Sequence, residues 1–515
     1  MIVKGFIKKG AYHDSVTLML VSKELTQTQG IEDSGVLMAS EQNKGLLKDA
    51  GLYLKEFDTL TDTDLVISVK ALDAESAERA IQNAQNILKG LKAAISSKSS
   101  GYRSLGQAVE ALPGANLALI SVAGRYAAFE AVKSLENGLH VMLFSDNVSV
   151  EEEVMLKKLG IEKGLLVMGP DCGTAIINGV PLAFANVVQK GNIGIVAASG
   201  TGLQEVGSII SNLGGGISQA IGTGGRDIKK EVGGLCFIEA ITALDNDPGT
   251  EVIVLISKPP SPCVLEKISQ SIKNISKPVV AILIGGRGEE LEQAGAYAAS
   301  NLEEAAHTAV ALIQGQNVAD SLHALQMRNR DLYAKAKEMA AGVKGLYLRG
   351  LHSGGTLCDE AQLIAKNLLD SVYSNTPLDS KLQLQDANIS FEHTIVDLGD
   401  DEFTRGKPHP MIDFTLRNQR ITKEAQDPEV AVMLFDVVLG YGSHPDPVGE
   451  LRPALMEARS RNPHMVMVCT VCGTGGDPQN KQKVELQLKE LGVEVQPSNA
   501  AASLLAIHII LNLNQ

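Results

Sequence analysis

The stretch Ile193-Gly194-Ile195-Val196-Ala197-Ala198-Ser199-Gly200-Thr201-Gly202-Leu203-Gln204-Glu205-Val206 decides the fold. An apolar run of strand length ends at Ser199. Small residues then turn the chain, and Leu203, Val206, Ile209 and Ile210 resume at helical spacing. Strand, glycine-rich turn and helix in that order are the repeating unit of a parallel α/β sheet.

The same rhythm extends in both directions. Upstream, strands are expected over 117–122, 140–144 and 165–169, separated by helices over 126–137 and 150–159. Downstream, strands are expected over 217–221, 252–256 and 279–284. Residues 315–342 are charged, helical in pattern and strandless, and read as a connector. A further alternating block carries strands over 346–349, 394–398, 430–437, 465–471 and 493–495, with an exposed loop over 376–388. Residues 1–100 stand apart. Strands near Val3-Lys4-Gly5-Phe6-Ile7, over 35–39 and over 64–70, with an amphipathic helix over 74–91, suggest a small α+β module of split βαβ type. The serines over 97–100 read as a linker. The expected fold class is therefore α/β, with doubly wound parallel sheets and a small α+β N-terminal module. The expected domains are 1–100 and three α/β domains over 105–187, 188–315 and 340–515.

Composition narrows the function. The chain has 515 residues, too many for one core, with 44% hydrophobic and 21% charged residues. Its net charge of -14 and its lack of Trp argue against nucleic-acid binding. No apolar run approaches the roughly 20 residues of a membrane span. The first residues lack an apolar signal core, and six Cys in so long a chain do not form a disulfide framework. A cytoplasmic enzyme without a membrane anchor is expected.

In doubly wound sheets, ligands bind at the carboxyl ends of strands. Ser199, Gly200, Thr201 and Gly202 form an anion nest at a helix N-terminus, beyond what a plain N-cap in a tight turn requires. Gly224, Gly225 and Arg226 follow the next strand, and Arg226 suits a carboxylate or phosphate. Asp171 lies in a turn that could equally be a domain hinge. Gly440, Gly442 and Ser443 end a late strand. Gly354-Gly355-Thr356 repeats the anion-nest pattern. Asp397, Asp400 and Asp401 lead into Arg405, Lys407 and His409, an unusual density for a solvated loop. The adjacent Asp400 and Asp401 need not both point inward, and no metal site is assigned. Cys469 and Cys472 lack a second ligand pair and read as structural.

In order, these turns resemble succinyl-CoA synthetase, and the resemblance implies a CoA-binding-like domain over 105–187 and flavodoxin-like ligase domains over 188–315 and 340–515. Residues from about 115 to 310 resemble its α subunit through GPDCGTAIINGVPLAF (169–184), GNIGIVAASGTGLQEV (191–206), AIGTGGRDI (220–228), TEVIVLIS (250–257) and KPVVAILIGG (277–286). Residues from about 340 onward resemble the β-subunit ligase domain through HTIVDLGDD (393–401) and DPEVAVMLFDVVLGYGSHPDP (427–447). The family's active-site His falls at Gln293, its supporting Glu falls at Lys258, and nothing resembles its nucleotide-binding domain. Over essentially the whole chain the sequence is also similar to the FdrA family, through ALISVAG (118–124), VMLFSDNV (141–148), GLLVMGPDCGT (164–174), SKPP (257–260) and GKPHPMIDFTLRNQ (406–419).

The FdrA resemblance implies a subunit of an oxamate carbamoyltransferase that works with companion subunits as an oligomer. Carbamoyl phosphate is already activated, so neither ATP nor phosphohistidine is required, and no cofactor is expected. Under that reading, Ser199, Gly200, Thr201, Gly202, Gly440, Gly442 and Ser443 bind phosphate. Lys258, Arg226 and His409 are the catalytic candidates. Arg405, Lys407, Gly224, Gly225, Asp171 and Asn147 contact substrate. The alternative is an acyl-CoA synthetase that uses CoA, and a third reading is a regulatory relative that has lost its chemistry.

Overall fold

The computed structural model describes residues 1–11, 13, 15–96, 102, 104–286, 288–404 and 407–513. The expected linker over 97–100 and Arg405 lie outside the described residues. The chain forms two compact units. The first comprises Met1–Gly114 with Asp401–His409, and the second Ala115–Asp400 with Pro410–Gln515.

In the first unit, strand Leu65–Ala71 is central and antiparallel to both Ile2–Lys8 and Ile31–Met38. The outer strands are thus parallel to each other with the third inserted between them, which is a split βαβ arrangement. Alternation along the central strand feeds two cores. Leu65, Ile67 and Val69 pack with Ala80, Ile81, Ala84 and Leu88 of helix Ala74–Ser96, while Val66 turns to Leu47, Leu52 and Phe57.

The second unit contains three sheets. A short parallel one joins Leu117–Ile120, His140–Leu143 and Val167–Met168. The seven-stranded sheet runs in the order Tyr297–Ala298, Val279–Leu283, Val252–Ser257, Lys190–Ala197, Ile217–Gly222, Thr174–Ile177, Val180–Ala183. Strand Lys190–Ala197 is buried on both faces. Ile193, Ile195 and Ala197 meet Leu203, Val206 and Ile210 on one side. Val196 meets Phe237, Ile241 and Leu244 on the other. Helices on both faces are what make this run continuously apolar rather than alternating.

The last two strands of that sheet differ from the domain division read off the sequence. Residues 174–183 form an antiparallel hairpin on its edge instead of joining the short sheet. Asn178 and Gly179 turn it, both at positive φ. An Asn-Gly pair between two apolar runs is a strong hairpin signal, and it outweighs adjacency along the chain. The third sheet is wholly parallel, in the order Thr394–Asp397, Tyr347–His352, Val430–Val438, Val466–Cys472, Glu494–Gln496.

Two buried carboxyls tie the larger sheets together. Glu205 Oε1 accepts from the Asn499 N–H at 2.9 Å, at the start of helix Asn499–Leu513. Glu360 accepts from the Leu302 N–H at 2.7 Å, at the start of helix Leu302–Ile313, and from Asn499 Nδ2 at 2.8 Å. Each acid therefore sits at the electropositive end of another helix. Burial nevertheless pushes Glu360 up to about 8 and moves Glu205 the same way. Their folded pKa values lie above the unfolded value. Their contribution is thus complete below about pH 4.3 and lost as pH rises, for Glu360 towards 8. The urea midpoint should accordingly fall between pH 5 and pH 8, and Glu360→Gln should flatten that fall. An equal fall in the variant would remove Glu360 as a source.

Candidate functional site

Two helices of the second unit, Gly200–Asn212 and Gly355–Lys366, present their N-termini to each other. Each follows a strand of a different sheet, Lys190–Ala197 and Tyr347–His352. Ser199 caps its helix by accepting from the Gly202 N–H at 2.9 Å. The same Oγ lies 2.5 Å from Thr356 Oγ1 on the facing helix. Only small residues permit this approach. A Cβ on Gly354 would stand 2.3 Å from Thr201 Cγ2, and one on Gly202 would stand 2.6 Å from Ser199 Oγ. Two sets of first-turn N–H groups, which have no helical partner, therefore converge with two hydroxyls.

The junction is narrow enough to test. Gly354→Ala should destabilise the protein by about 1–3 kcal/mol, because Thr201 is β-branched and stiff. Displacing the helix ends by about 1 Å should lower turnover about 100-fold. Gly342→Ala, where an added Cβ meets nothing within 4 Å, is the control for paired urea-melt and phosphate-release measurements. Equal behaviour of the two variants would count against a close junction.

A cavity of about 180 Å³ opens beside the Ser199 cap. Asp171, Thr174, Ser199, Gly200, Gly224 and Gly225 line it, so the structure brings together five of the residues singled out from sequence. Glycine is required at its wall, because a Cβ on Gly224, which has φ +81, would stand 2.3 Å from Pro170 O. Cys172 also lines it, but burial pushes this thiol up to about 12, so it is not a nucleophile.

Beyond Ser199 lies a charged cluster. Lys258 Nζ donates to Asp359 Oδ2 at 2.6 Å, linking the segment after strand Val252–Ser257 to helix Gly355–Lys366. Burial works against the ammonium, but Asp359 outweighs it and holds Lys258 protonated above its ordinary range. Burial pushes the Asp359 carboxyl up, with Lys258 opposing. Burial also pushes Asp397 up to about 7, at the end of strand Thr394–Asp397.

Other candidates are placed differently. Arg226 Nη2 donates to Val148 O at 2.9 Å and pairs with buried Glu153 at 2.9 Å, so its guanidinium is committed to packing the short sheet's helix against this region. Asn147 has φ 54 and backs onto Gly124, outside the cavity lining. The turn at Gly440 and Gly442 is not the hydrogen-bond partner of Ser199, which is Thr356. It packs on Phe184 and Ala185, with the Tyr441 N–H donating to Ala185 O at 2.9 Å. Thr174 Oγ1 in turn donates to Phe184 O at 2.6 Å, so this turn supports the cavity wall from behind. The Ser443 hydroxyl is buried without a partner. Lys407 and His409 belong to the first unit. Gln293 is exposed at the end of the short helix Glu289–Gln293.

Sequence reading noticed Gly354, Gly355, Thr356 and Asp397 but gave them no role, and it missed Asp359. The Gly354-Gly355-Thr356 turn carried the same signal as the turn at Ser199. Asp359 carried none, because its partner lies 101 positions away on another sheet.

Family models match three segments: a CoA-ligase model over 351–509, a CoA binding domain model over 188–285, and an AllF heavy metal-associated domain model over 1–103. The CoA binding match covers the central strands of the seven-stranded sheet, not the 105–187 segment. Residues 1–103 contain no Cys, and no metal-capable group of three His, Cys, Asp or Glu occurs among the described residues. They therefore do not fit a soft heavy-metal ion, which thiolates select. No helix among the described residues is long and apolar enough to cross a membrane.

The chain is 43% identical over 520 residues to the uncharacterized protein YahF of Escherichia coli K12, covering 99% of each. It is 29% identical to the α subunit of succinate–CoA ligase (ADP-forming) from Methanothermobacter thermautotrophicus, over 36% of this chain and 65% of that one. It is 27% identical to the malate–CoA ligase α subunit of Methylorubrum extorquens, over 40% and 72% respectively. With its paired helix ends and parallel sheets, the chain belongs to the family of YahF, whose ligase domains are of the succinyl-CoA synthetase type.

Proposed function

We propose that this chain transfers an acyl-type group between a phosphate held at the paired helix ends and an acceptor, without a phosphohistidine. The observation that carries the reading is the 2.5 Å approach of Ser199 to Thr356 beside the Lys258–Asp359 pair. Convergent N–H groups and hydroxyls are suited to a leaving phosphate, whose charge grows as its bond breaks. The exposed Gln293 cannot accept a phosphoryl group in the manner of His.

The donor that needs no phosphohistidine is an acyl phosphate that arrives activated. The specific reading is carbamoyl transfer from carbamoyl phosphate to oxamate, giving oxalurate and phosphate, carried out with companion subunits. Both substrates are small enough for a cavity of about 180 Å³. Lys258 balances phosphate charge, and Gly224 and Gly225 offer backbone groups to the substrate.

A second reading, formation of an acyl-CoA, is supported by the relatives, which are named as CoA ligases, and by the CoA-ligase and CoA binding domain matches. CoA is far larger than the cavity and would lie mostly outside it. The test is phosphate release from carbamoyl phosphate, with and without oxamate, by this chain alone and with its genomic neighbours. Oxamate-dependent release with oxalurate formed supports the first reading. No release in any combination, with CoA binding by calorimetry, supports the second.

A further inference from the structure

We propose that Asp397 is the proton-carrying group of the paired helix ends, gaining or losing its proton in step with the oxyanion held there. The proposal rests on reading those ends as a phosphate cradle. Asp397 is 7% exposed and tightly placed. Asn375 clamps its main chain from both sides, accepting from the Asp397 N–H at 2.9 Å and donating to Asp397 O at 2.9 Å. The Gly399 N–H donates to Oδ1 at 2.8 Å. That leaves Oδ2 aimed at the first residue of helix Gly355–Lys366. It lies 2.8 Å from where a Cβ on Gly355 would stand, and Lys258 Nζ lies 3.8 Å from the same point. The absence of a Cβ at Gly355 is what allows a carboxyl and an ammonium to share this end.

The charge balance then requires a proton. Asp397 is faced by Lys258 from the segment after strand Val252–Ser257, by Asp359 from helix Gly355–Lys366, and by Asp400 from its own loop. Three carboxylates and one ammonium, all ionised, would leave the pocket negative just where an oxyanion must enter. Protonating one acid removes the conflict, and burial already holds Asp397 near the point where this costs little at neutral pH. In the proposed reaction the C–O bond of the acyl phosphate breaks and a C–N bond forms to the amide acceptor. Protonated Asp397 gives its proton to the departing phosphate oxygen as the C–O bond breaks, and its carboxylate then takes the proton released by the acceptor nitrogen. Phosphate leaves as hydrogen phosphate, and nothing is oxidised or reduced.

Sulfate does not titrate near neutrality and is therefore the probe. Calorimetry on the full chain should show its Kd rising by up to about tenfold per pH unit above pH 7, with heats that depend on the buffer's ionisation enthalpy. D397N should bind with no pH slope. K258M should move the onset of the slope to higher pH, since it removes the cation that favours the Asp397 carboxylate, and this arm does not require D397N to fold. A flat profile in the unmodified protein, an unchanged slope in D397N, or no sulfate binding by the unmodified protein overturns the proposal. Loss of the carbamoyl reaction as a reading, with the sulfate slope intact, leaves the proton coupling standing.

Discussion

Replacing Lys157 with Met is expected to cost about 3–5 kcal/mol of unfolding free energy, the largest stability effect we anticipate. Its side chain is 1% exposed on helix Val150–Lys163. Nζ donates to Glu153 Oε1 at 2.7 Å, to Asp227 Oδ1 at 2.8 Å and to Thr223 O at 3.1 Å. Burial opposes its charge, but Asp227 outweighs burial and keeps Lys157 protonated. Asp227 also accepts from the Cys236 and Phe237 N–H groups at the start of helix Leu235–Asn246. Met fills a similar volume but leaves buried Asp227 without its cation and buried Glu153 with only the partly exposed Arg226. Because Thr223 precedes Gly224 and Gly225, the loss should also loosen the cavity wall. Urea unfolding decides the point: a change below about 1 kcal/mol would remove Lys157 as a major support of the fold. Arg226→Ala should cost much less, since that side chain is 43% exposed and solvent can replace it.

Lys258→Glu is expected to have the largest effect on turnover, a fall of at least about 100- to 1,000-fold, with the fold retained. Lys258 is 48% exposed, so its removal leaves little unfilled space. The variant sets a third carboxylate beside Asp359 and Asp397, at the helix end proposed to receive phosphate. Lys258→Arg should recover part of the activity, because charge returns but the planar fork cannot reproduce the ammonium's single short contact with Asp359. Phosphate release, compared with circular dichroism and melting, separates chemistry from folding. Turnover unchanged in Lys258→Glu would remove Lys258 from the site.

The parallel sheets were legible because their signal is local. The apolar run from Ile193 to Ala198, followed by a Gly-rich turn and a helix, predicts a buried strand wherever it occurs. The anion nest at Ser199 was legible for the same reason, since capping and glycine geometry depend on a few consecutive residues. So were the cavity residues Asp171, Gly224 and Gly225, which follow strand ends. The hairpin over 174–183 had its Asn178-Gly179 signal in plain view, but which sheet it joins depends on pairing with strand Ile217–Gly222, about 40 residues on.

The rest was decided in three dimensions. Arg226 reads in sequence like an anion ligand, and only the buried carboxylate of Glu153 reveals its structural partner. The turn at Gly440 and the turn at Gly354 look alike as sequence, yet only Gly354 leads to the Ser199 junction. Asp397 was visible as one acid among several, but its burial and its approach to Gly355 were not. By itself, then, the sequence determined the α/β class, the strand–turn–helix units and where small residues would expose backbone N–H groups. These properties depend on neighbours within a few positions. The tertiary structure decided which helix ends meet, which charges pair and which carboxyl is held near neutral pH. Those properties depend on groups tens to more than 100 residues apart and on how completely their packing excludes water.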